Sequence, residues 1–476
     1  MQKVLKMNYN EIGFKCGLEI HQQLDTSKLF CNCSSEIRSG KPDKMFRRRL
    51  RAAAGESGRV DAAAEHEQKK GKYFDYQYYN GGSCLVELDE EPPRCINQEA
   101  LQVAIQLSQL LNMKISDQIQ VMRKTVVDGS NTTGFQRTAL VARDGFIETS
   151  KGRVTIQTLC IEEESAQLIE RNKTHDVYNL SRLGIPLIEI ATGTEIVDPT
   201  HAMEAAEKIG MILRSTRKVK RGIGTIRQDV NLSIAGMPRM EIKGFQELKS
   251  IPKIIDWEIR RLEHAKSKGE KMASEVRKAE PDFTTKFLRP MPGADRMYPE
   301  TDVVPIVPNM DKADLPELID EKAKRYEKEF GISRELAGLA AHNHLDLDAY
   351  AARFRNVKPG FIAEFFLTLP KEIKRRYDLS IEPGKYADEI LARLDQGKVP
   401  KEAAIEILVE FAKTGKADYS RFAGIPDGEL EAEINKIVES NPGKSQGALM
   451  GMVMAKFRGK ADGKKIADFL NKILKK

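Results

Sequence analysis

Several short stretches of this chain carry acids, bases and an imidazole at spacings that a strand would bring to one side. In Phe14-Lys-Cys-Gly-Leu-Glu-Ile-His21 the even positions Phe14, Cys16, Leu18 and Ile20 are apolar. Strand side chains alternate with period two, so Glu19 and His21 share the opposite face. Residues 225–234 repeat the pattern, with Ile226, Val230, Leu232 and Ile234 on one side and Arg227, Asp229, Asn231 and Ser233 on the other. Residues 239–243 set Met240 and Ile242 against Arg239, Glu241 and Lys243, and residues 186–191 set Ile188 and Ile190 against Glu189. A further carboxylate source, Cys160-Ile-Glu-Glu-Glu164, closes a strand-like run that begins at Val154. Its alternation is ambiguous and leaves open whether Glu162 or Glu163 joins the same face.

An ordinary antiparallel sheet with one wet face would spread Lys, Thr, Ser and Glu loosely. Here the polar residues come in compact groups, beside a loop rich in small polar residues, Asp128-Gly-Ser-Asn-Thr-Thr-Gly134. Carboxylates with a histidine make an oxygen-rich site suited to Mg²⁺ or Mn²⁺. Arg and Lys beside them are partners for phosphate oxygens. Together they are what nucleotide-driven phosphoryl transfer requires. Other motifs fall short. Gly443-Lys444-Ser445 lacks the earlier glycine of a P-loop, Val438 standing in its place. Gly222-Ile-Gly-Thr-Ile-Arg227 lacks the third glycine of a dinucleotide fingerprint, and no nucleophile elbow supports serine-based hydrolysis. Cys31, Cys33 and Cys84 offer three thiolates, to a structural zinc ion or as plain buried thiols.

The elements that must position these residues follow from pattern and composition. The chain has 476 residues, 41% apolar and 31% charged, which suits real cores. No stretch reaches the ~18 consecutive apolar residues of a membrane span. Six cysteines are too few for a disulfide scaffold and point to a reducing, cytoplasmic setting. Membrane, secreted and fibrous classes are thereby excluded. Up to about residue 250 the chain reads as short strands with two helical insertions, 100–112 and 200–213, the second capped by Asp198-Pro199. Residues 257–278 read as one long charged helix, and the proline-rich passage 281–308 as extended. Beyond it the chain is helix-forming to its end. The fold class expected is α+β in front and all-α behind. The net charge of +7 sits entirely in residues 441–476, which hold nine Lys or Arg against two Asp. Within them Lys456, Arg458, Lys460, Lys464 and Lys465 surround a Gly-rich turn, where side chains can reach phosphates of a polyanion.

Gly17-Leu-Glu-Ile-His-Gln-Gln-Leu-Asp-Thr26, Cys84-Leu-Val-Glu-Leu-Asp-Glu-Glu-Pro-Pro93, Ser130-Asn-Thr-Thr-Gly-Phe-Gln-Arg137 and Tyr298-Pro-Glu-Thr-Asp302 stand with Arg227-Gln-Asp-Val-Asn231 and Ser181-Arg-Leu-Gly-Ile-Pro-Leu-Ile-Glu-Ile190. Taken together, these motifs resemble the family of archaeal glutamyl-tRNA(Gln) amidotransferase E subunits and bacterial B subunits, over nearly the whole length. The Gln-Gln after His21 and the Leu-Asp-Glu-Glu-Pro-Pro block favour the E type. The resemblance implies an antiparallel-sheet cradle over 1–290, a linker and helical domain over 291–427 and a basic helical tail over 428–476. It implies that ATP phosphorylates the γ-carboxylate of glutamate on tRNA(Gln). Ammonia from an asparaginase-like D subunit then displaces the phosphate, in a heterotetramer of two D and two E subunits. Carried over by motif, Glu19, His21 and one of Glu162 and Glu163 belong to the Mg²⁺ site, with Glu241. Glu189 and Asp229 are their catalytic neighbours, and the strand reading, more than the family, sets Arg227, Asn231 and Lys243 toward ATP. The alternatives are a B-type subunit acting on Asp-tRNA(Asn) or Glu-tRNA(Gln) with an amidase partner, and a non-catalytic tRNA-binding scaffold. Two features depart from the pattern. No inserted domain precedes Arg289-Pro-Met-Pro292, and the second Cys-x-x-Cys of many B subunits is missing.

Overall fold

The alternation read from the sequence is realised in one large sheet of the first of two units, Met1–Pro316. The computed structural model describes residues 7–52, 58–245, 247–293, 297–309, 315–422, 427–457 and 463–474. In chain order the strands are β1 (Lys15–Gln23), β2 (Lys44–Arg48), β3 (Tyr73–Tyr78), β4 (Lys114–Ile115), β5 (Val121–Thr125), β6 (Phe135–Thr149), β7 (Gly152–Glu163) and β8 (Gln167–Arg171). They continue with β9 (His175–Asn179), β10 (Pro186–Thr192), β11 (Ile226–Ser233), β12 (Met240–Lys243), β13 (Glu275–Ala279), β14 (Thr285–Pro290) and β15 (Met297–Pro299). The large sheet runs β14-β13-β12-β11-β1-β10-β7-β6-β5-β15, with β4 pairing β6, and is antiparallel except between β12 and β13. A smaller sheet, β2-β3-β9-β8, stands apart from it.

One face of the large sheet is apolar. Leu18, Ile20, Ile161, Ile188, Ile190, Val230 and Ile242 are essentially inaccessible there. Helices α2 (Gln98–Leu110) and α3 (Pro199–Ser215) pack against its strands, and α4 (Ile251–Ser267) packs on α3. Asp198 caps α3 as expected, its Oδ1 accepting from the His201 amide at 2.9 Å, with Pro199 in the first turn.

The long helix expected over 257–278 is a correction. The helix spans Ile251–Ser267 and ends where Gly269 takes φ +68°, a conformation that costs glycine little. The chain then returns as β13, parallel to β12 and antiparallel to β14. Lys and Glu favour helix weakly, but an unpaired edge at β12 offers a ladder that local propensity cannot register. The proline-rich passage likewise supplies β14 and β15 to the same sheet.

The second unit, Glu317–Lys476, is helical. Two separate apolar clusters form inside it. One gathers Tyr326, Ala340, Leu347, Phe365, Ile390 and Leu408 among others. The other joins Leu430 and Ile434 to Leu449, Val453, Phe457, Ile466 and Leu470. The spacing of four between Leu449, Val453 and Phe457 puts all three on the packed side, the arrangement expected of a pinned helix. Among the described residues no helix is long and apolar enough to cross a membrane.

Candidate active site

Residues directly opposite one another in adjacent strands share a face. Glu19 stands opposite Asp229, and His21 opposite both Arg227 and Glu189. Asn231 stands opposite Glu241, Leu187 opposite Glu162, Glu162 opposite Thr138, and Gln136 opposite Lys124. Antiparallel register thus carries one polar face across seven strands, β12 to β5. Pairing also resolves the ambiguous pair. Glu162 lines the cavity on this face, whereas Glu163 turns to the other side and pairs with buried Arg137 at 3.3 Å. Arg137 in turn holds Glu300 at 2.8 Å, and Glu300 also pairs with Arg123.

The face floors a cavity of about 350 Å³ whose lining includes Glu19, His21, Glu162, Glu189, Arg227, Glu241 and Lys243. Asp229 and Asn231 flank it. Lys243 Nζ lies 2.5 Å from Asp229 and from Glu241, and Asn231 donates to Glu19 Oε1 at 3.0 Å. His21 Nε2 is 3.3 Å from Glu189. Glu162 accepts from Lys124 at 2.6 Å, from Thr138 Oγ1 at 2.7 Å and from Gln136 at 3.1 Å. Arg227 grips Glu164 with two hydrogen bonds, of 2.8 and 3.0 Å.

The crowding of carboxylates sets the electrostatics. Burial pushes the Glu19 carboxyl upward, Lys243 pulls it down, and Glu189, Glu241 and Asp229 push it further up. Burial and then the Glu189 charge raise Glu162. Burial opposes ionisation of Glu189 as well, yet Lys124 and His21 hold it far below the usual carboxylate range. Burial lowers the His21 imidazolium, but its bond to Glu189 more than compensates and the net shift is upward. Lys243, penalised by burial, is raised by Asp229, Glu241 and Glu19.

This donor set fits a hard divalent cation. Two triads, Glu19/His21/Asp229 and His21/Glu162/Glu189, each bring one ligand atom per residue within 4.8 Å of one another. The buried Nδ1 of His21 has no hydrogen-bond partner among the described residues. Buried polar atoms are rarely left so, and a bound ion or its water would satisfy it.

Sequence reasoning missed Lys124, Glu164 and Arg289. Lys124 sits in Val121-Met-Arg-Lys-Thr, where no polar alternation stands out. Glu164 lies one residue past the end of β7, so strand parity does not apply to it. Arg289 falls in the proline-rich stretch read as extended chain. Glu87 was missed too. Its carboxylate joins Cys31, Cys33 and Cys84 in a four-residue group whose ligand atoms lie within 4.8 Å of one another. Hydrogen bonding from its thiol neighbours holds Cys33 down at about 4. Three thiols and a carboxylate suit zinc. Glu87 also lies 3.4 Å from the buried Lys28 ammonium. The signal was Cys84-Leu-Val-Glu87, an acid where a Cys-x-x-Cys pair would end.

In the tail, Lys456 ends α13 (Gln446–Lys456), and Lys465 is exposed on α14 (Gly463–Leu474). Lys456 pairs with Glu433 at 2.7 Å. Lys464 lies in α14, but its side chain is outside the described residues, as are Arg458 and Lys460.

Residues 14–314 match the GatB/GatE catalytic domain, and residues 350–474 match the GatB domain. The E subunit of the glutamyl-tRNA(Gln) amidotransferase of Methanocaldococcus jannaschii is 36% identical, with 99% of this chain and all of that protein covered. The proteins of the same name from Methanococcus maripaludis and Archaeoglobus fulgidus are each 35% identical, over 98% of this chain and 99% of theirs. The first alignment runs over 628 positions, and this chain can supply at most 476 of them. At least 152 positions of that relative therefore have no counterpart here, in keeping with a missing insert.

Proposed function

The chain belongs to the GatB/GatE family, as a ligase-type amidotransferase subunit working on tRNA with ATP, and we propose that its cradle cavity phosphorylates the γ-carboxylate of glutamate carried on tRNA(Gln). The observation that carries this reading is the polar face continued across seven strands, five of which bring carboxylates to it, with His21 in its midst. A carboxylate is a poor electrophile, and conversion to an acyl phosphate supplies the leaving group that ammonia can displace.

Glu19, His21, Asp229, Glu162 and Glu189 would hold Mg²⁺, with Glu241 ordering Lys243 beside them. A cation held there would offset negative charge on the phosphate oxygens and so leave the γ-phosphorus more open to attack. Lys243 and Arg227 set positive charge along the floor, each oriented by its carboxylate partners. Gln136, Thr138 and Lys124 fix both oxygens of Glu162, so that its position does not depend on a ligand. At this cavity the described residues pair no Ser, Thr or Cys with a histidine, and the Ser130 hydroxyl donates to Asp128 within its own turn, at 2.6 Å, so we assign release of ammonia from an amide to a partner. We assign that role to an asparaginase-like D subunit, in an assembly of two D and two E subunits.

The test is ADP formation by the purified chain with ATP, Mg²⁺, Glu-tRNA(Gln) and free ammonium. ADP and Gln-tRNA(Gln) should appear together and depend on the aminoacylated tRNA. Glutamine or asparagine should not replace ammonium unless a partner is added. A non-catalytic scaffold would bind tRNA and leave ATP intact, which would overturn the assignment.

A further inference from the structure

A second cavity of about 470 Å³ adjoins the first. Lys243 and Arg289 line both, as do Asp128 and Glu67. The second cavity has an apolar wall of Phe74 and Leu288 and a cationic rim of Lys70, Lys72 and Arg171. Most of the positive charge around the two cavities is already committed. Lys124 serves Glu162 and Glu189, Arg227 serves Glu164, and Lys243 serves Asp229 and Glu241. Lys70 pairs with Glu67 at 2.7 Å and Lys72 with Asp176 at 2.8 Å.

Arg289 differs from all of these. It is half-buried on β14 and has no ion-pair partner among the described residues. Its Nε is fully buried without a hydrogen-bond partner. Arg171 and Arg239 also lack ion pairs there, but both are exposed. A guanidinium with one donor held out of water and unspent is costly unless a ligand completes it. Its flat fork of donors matches phosphate oxygens. Helix α1 (Ala62–Gln68) packs over β14, and its cap Asp61 accepts from the Gly293 amide at 2.8 Å, so the strand end that carries Arg289 is held in place.

We propose that Arg289 grips the phosphate chain of the nucleotide where the two cavities meet, with the nucleoside end in the second cavity against Phe74 and Leu288. This rests on the phosphoryl transfer proposed above. In that step an ionised γ-carboxylate oxygen of the glutamyl group attacks the γ-phosphorus. The bond from that phosphorus to the β,γ-bridging oxygen breaks, and ADP leaves with the electron pair. No proton has to move. Negative charge grows on the bridging oxygen, and a guanidinium at the cavity junction is placed to meet it.

The experiment compares Arg289→Gln, Arg289→Lys and Arg289→Ala in Glu-tRNA-dependent ADP formation, with KM for ATP and for Glu-tRNA measured separately. Arg289→Gln should lose about 100-fold in kcat/KM for ATP while KM for Glu-tRNA stays within threefold. Arg289→Lys should recover part of that loss. Added guanidinium should stimulate Arg289→Ala, which a purely structural arginine would not allow. An active unmodified chain with Arg289→Gln within threefold of it would overturn the assignment alone. A raised KM for Glu-tRNA with a flattened salt dependence and unchanged ATP kinetics would also overturn it, placing Arg289 on a tRNA phosphate. An unmodified chain that makes no ADP would overturn the functional reading first, and Arg289 with it.

Discussion

The cradle cavity and the tail are both rich in charge, but they manage it in opposite ways. In the cradle, Glu162 is 1% exposed, and each of its oxygens has a protein partner. In the tail, the lysine charges stand on the surface of a small three-helix cluster. Lys456, 53% exposed at its side chain, meets Glu433, and Lys472, 61% exposed, meets Glu431 at 3.1 Å. Exposed pairs of this kind contribute little to stability and weaken with salt. Buried ones cost several kcal/mol to break, because the survivor keeps its desolvation penalty. The lesson is that the cradle fixes its charges in place by burial and mutual pairing, whereas the tail's exposed pairs hold theirs loosely.

The sharpest way to break this contrast is to remove a cradle ligand. His21→Ala or Glu19→Ala should lower Glu-tRNA-dependent ADP formation by about 10³-fold or more, since both sit among the candidate metal ligands. Binding of Glu-tRNA should stay near normal. Near-normal ATP turnover at saturating Mg²⁺ in both variants would remove these residues from the metal site.

The buried network behind the cavity gives the next largest effect. Glu300, wholly inaccessible, joins Arg137 and Arg123. Glu300→Ala should destabilise the first unit by about 3 kcal/mol or more, read from the urea midpoint. A loss below about 1 kcal/mol would make this network behave like the exposed tail pairs, and the comparison would fail.

How far the sequence disclosed this site depends on where parity applies. Glu19, His21, Arg227, Asp229, Glu241 and Lys243 were legible because clear apolar neighbours mark the other face of their strands. Glu162 and Glu163 were not separable, because three successive glutamates give no apolar reference. Only the register of Leu187 against Glu162 decides between them. The α+β order was legible from period and composition. Strand β13 was not, because Glu275-Val-Arg-Lys-Ala279 carries helix-forming residues and becomes a strand through pairing with β12. Glu87 and Arg289 depend on tertiary placement that no local spacing reports.

A smaller, pH-dependent effect sits at the start of α3. Burial alone would raise the Asp198 carboxyl, but Lys151, Thr200 and the His201 amide bring it down to about 2. A depressed carboxyl stabilises the fold above its unfolded value, near 3.8, and that contribution is lost as pH falls toward 2. Lys151 is 36% exposed at its side chain, so solvent screening leaves only about 1 kcal/mol. Asp198→Asn keeps a capping oxygen and removes the charge. It should be less stable than the unmodified chain at pH 6, with the gap narrowing below pH 4. A gap that stays constant down to pH 3 would assign Asp198 a capping role only.

The tail should show the smallest effect, and salt is the means to see it. Deleting 445–476 would remove α13 and α14 and uncover Leu430 and Ile434, mixing loss of packing with loss of charge. The double substitution Lys456→Gln with Lys465→Gln leaves Leu449, Val453, Ile466 and Leu470 untouched, so the cluster should keep its melting temperature. If these lysines contact tRNA phosphates, each lost contact should flatten the dependence of log K on log salt by about 0.7–0.9. Lys456 has to leave Glu433 to do so, and the weakness of that exposed pair makes the exchange cheap. Affinity for Glu-tRNA should therefore fall several-fold at low salt and converge with that of the unmodified chain at high salt. ATP turnover at saturating Glu-tRNA should be unchanged, because these side chains lie outside the cradle unit. Identical affinity and identical slope in the double variant would leave the tail's basic run as a solvated surface only.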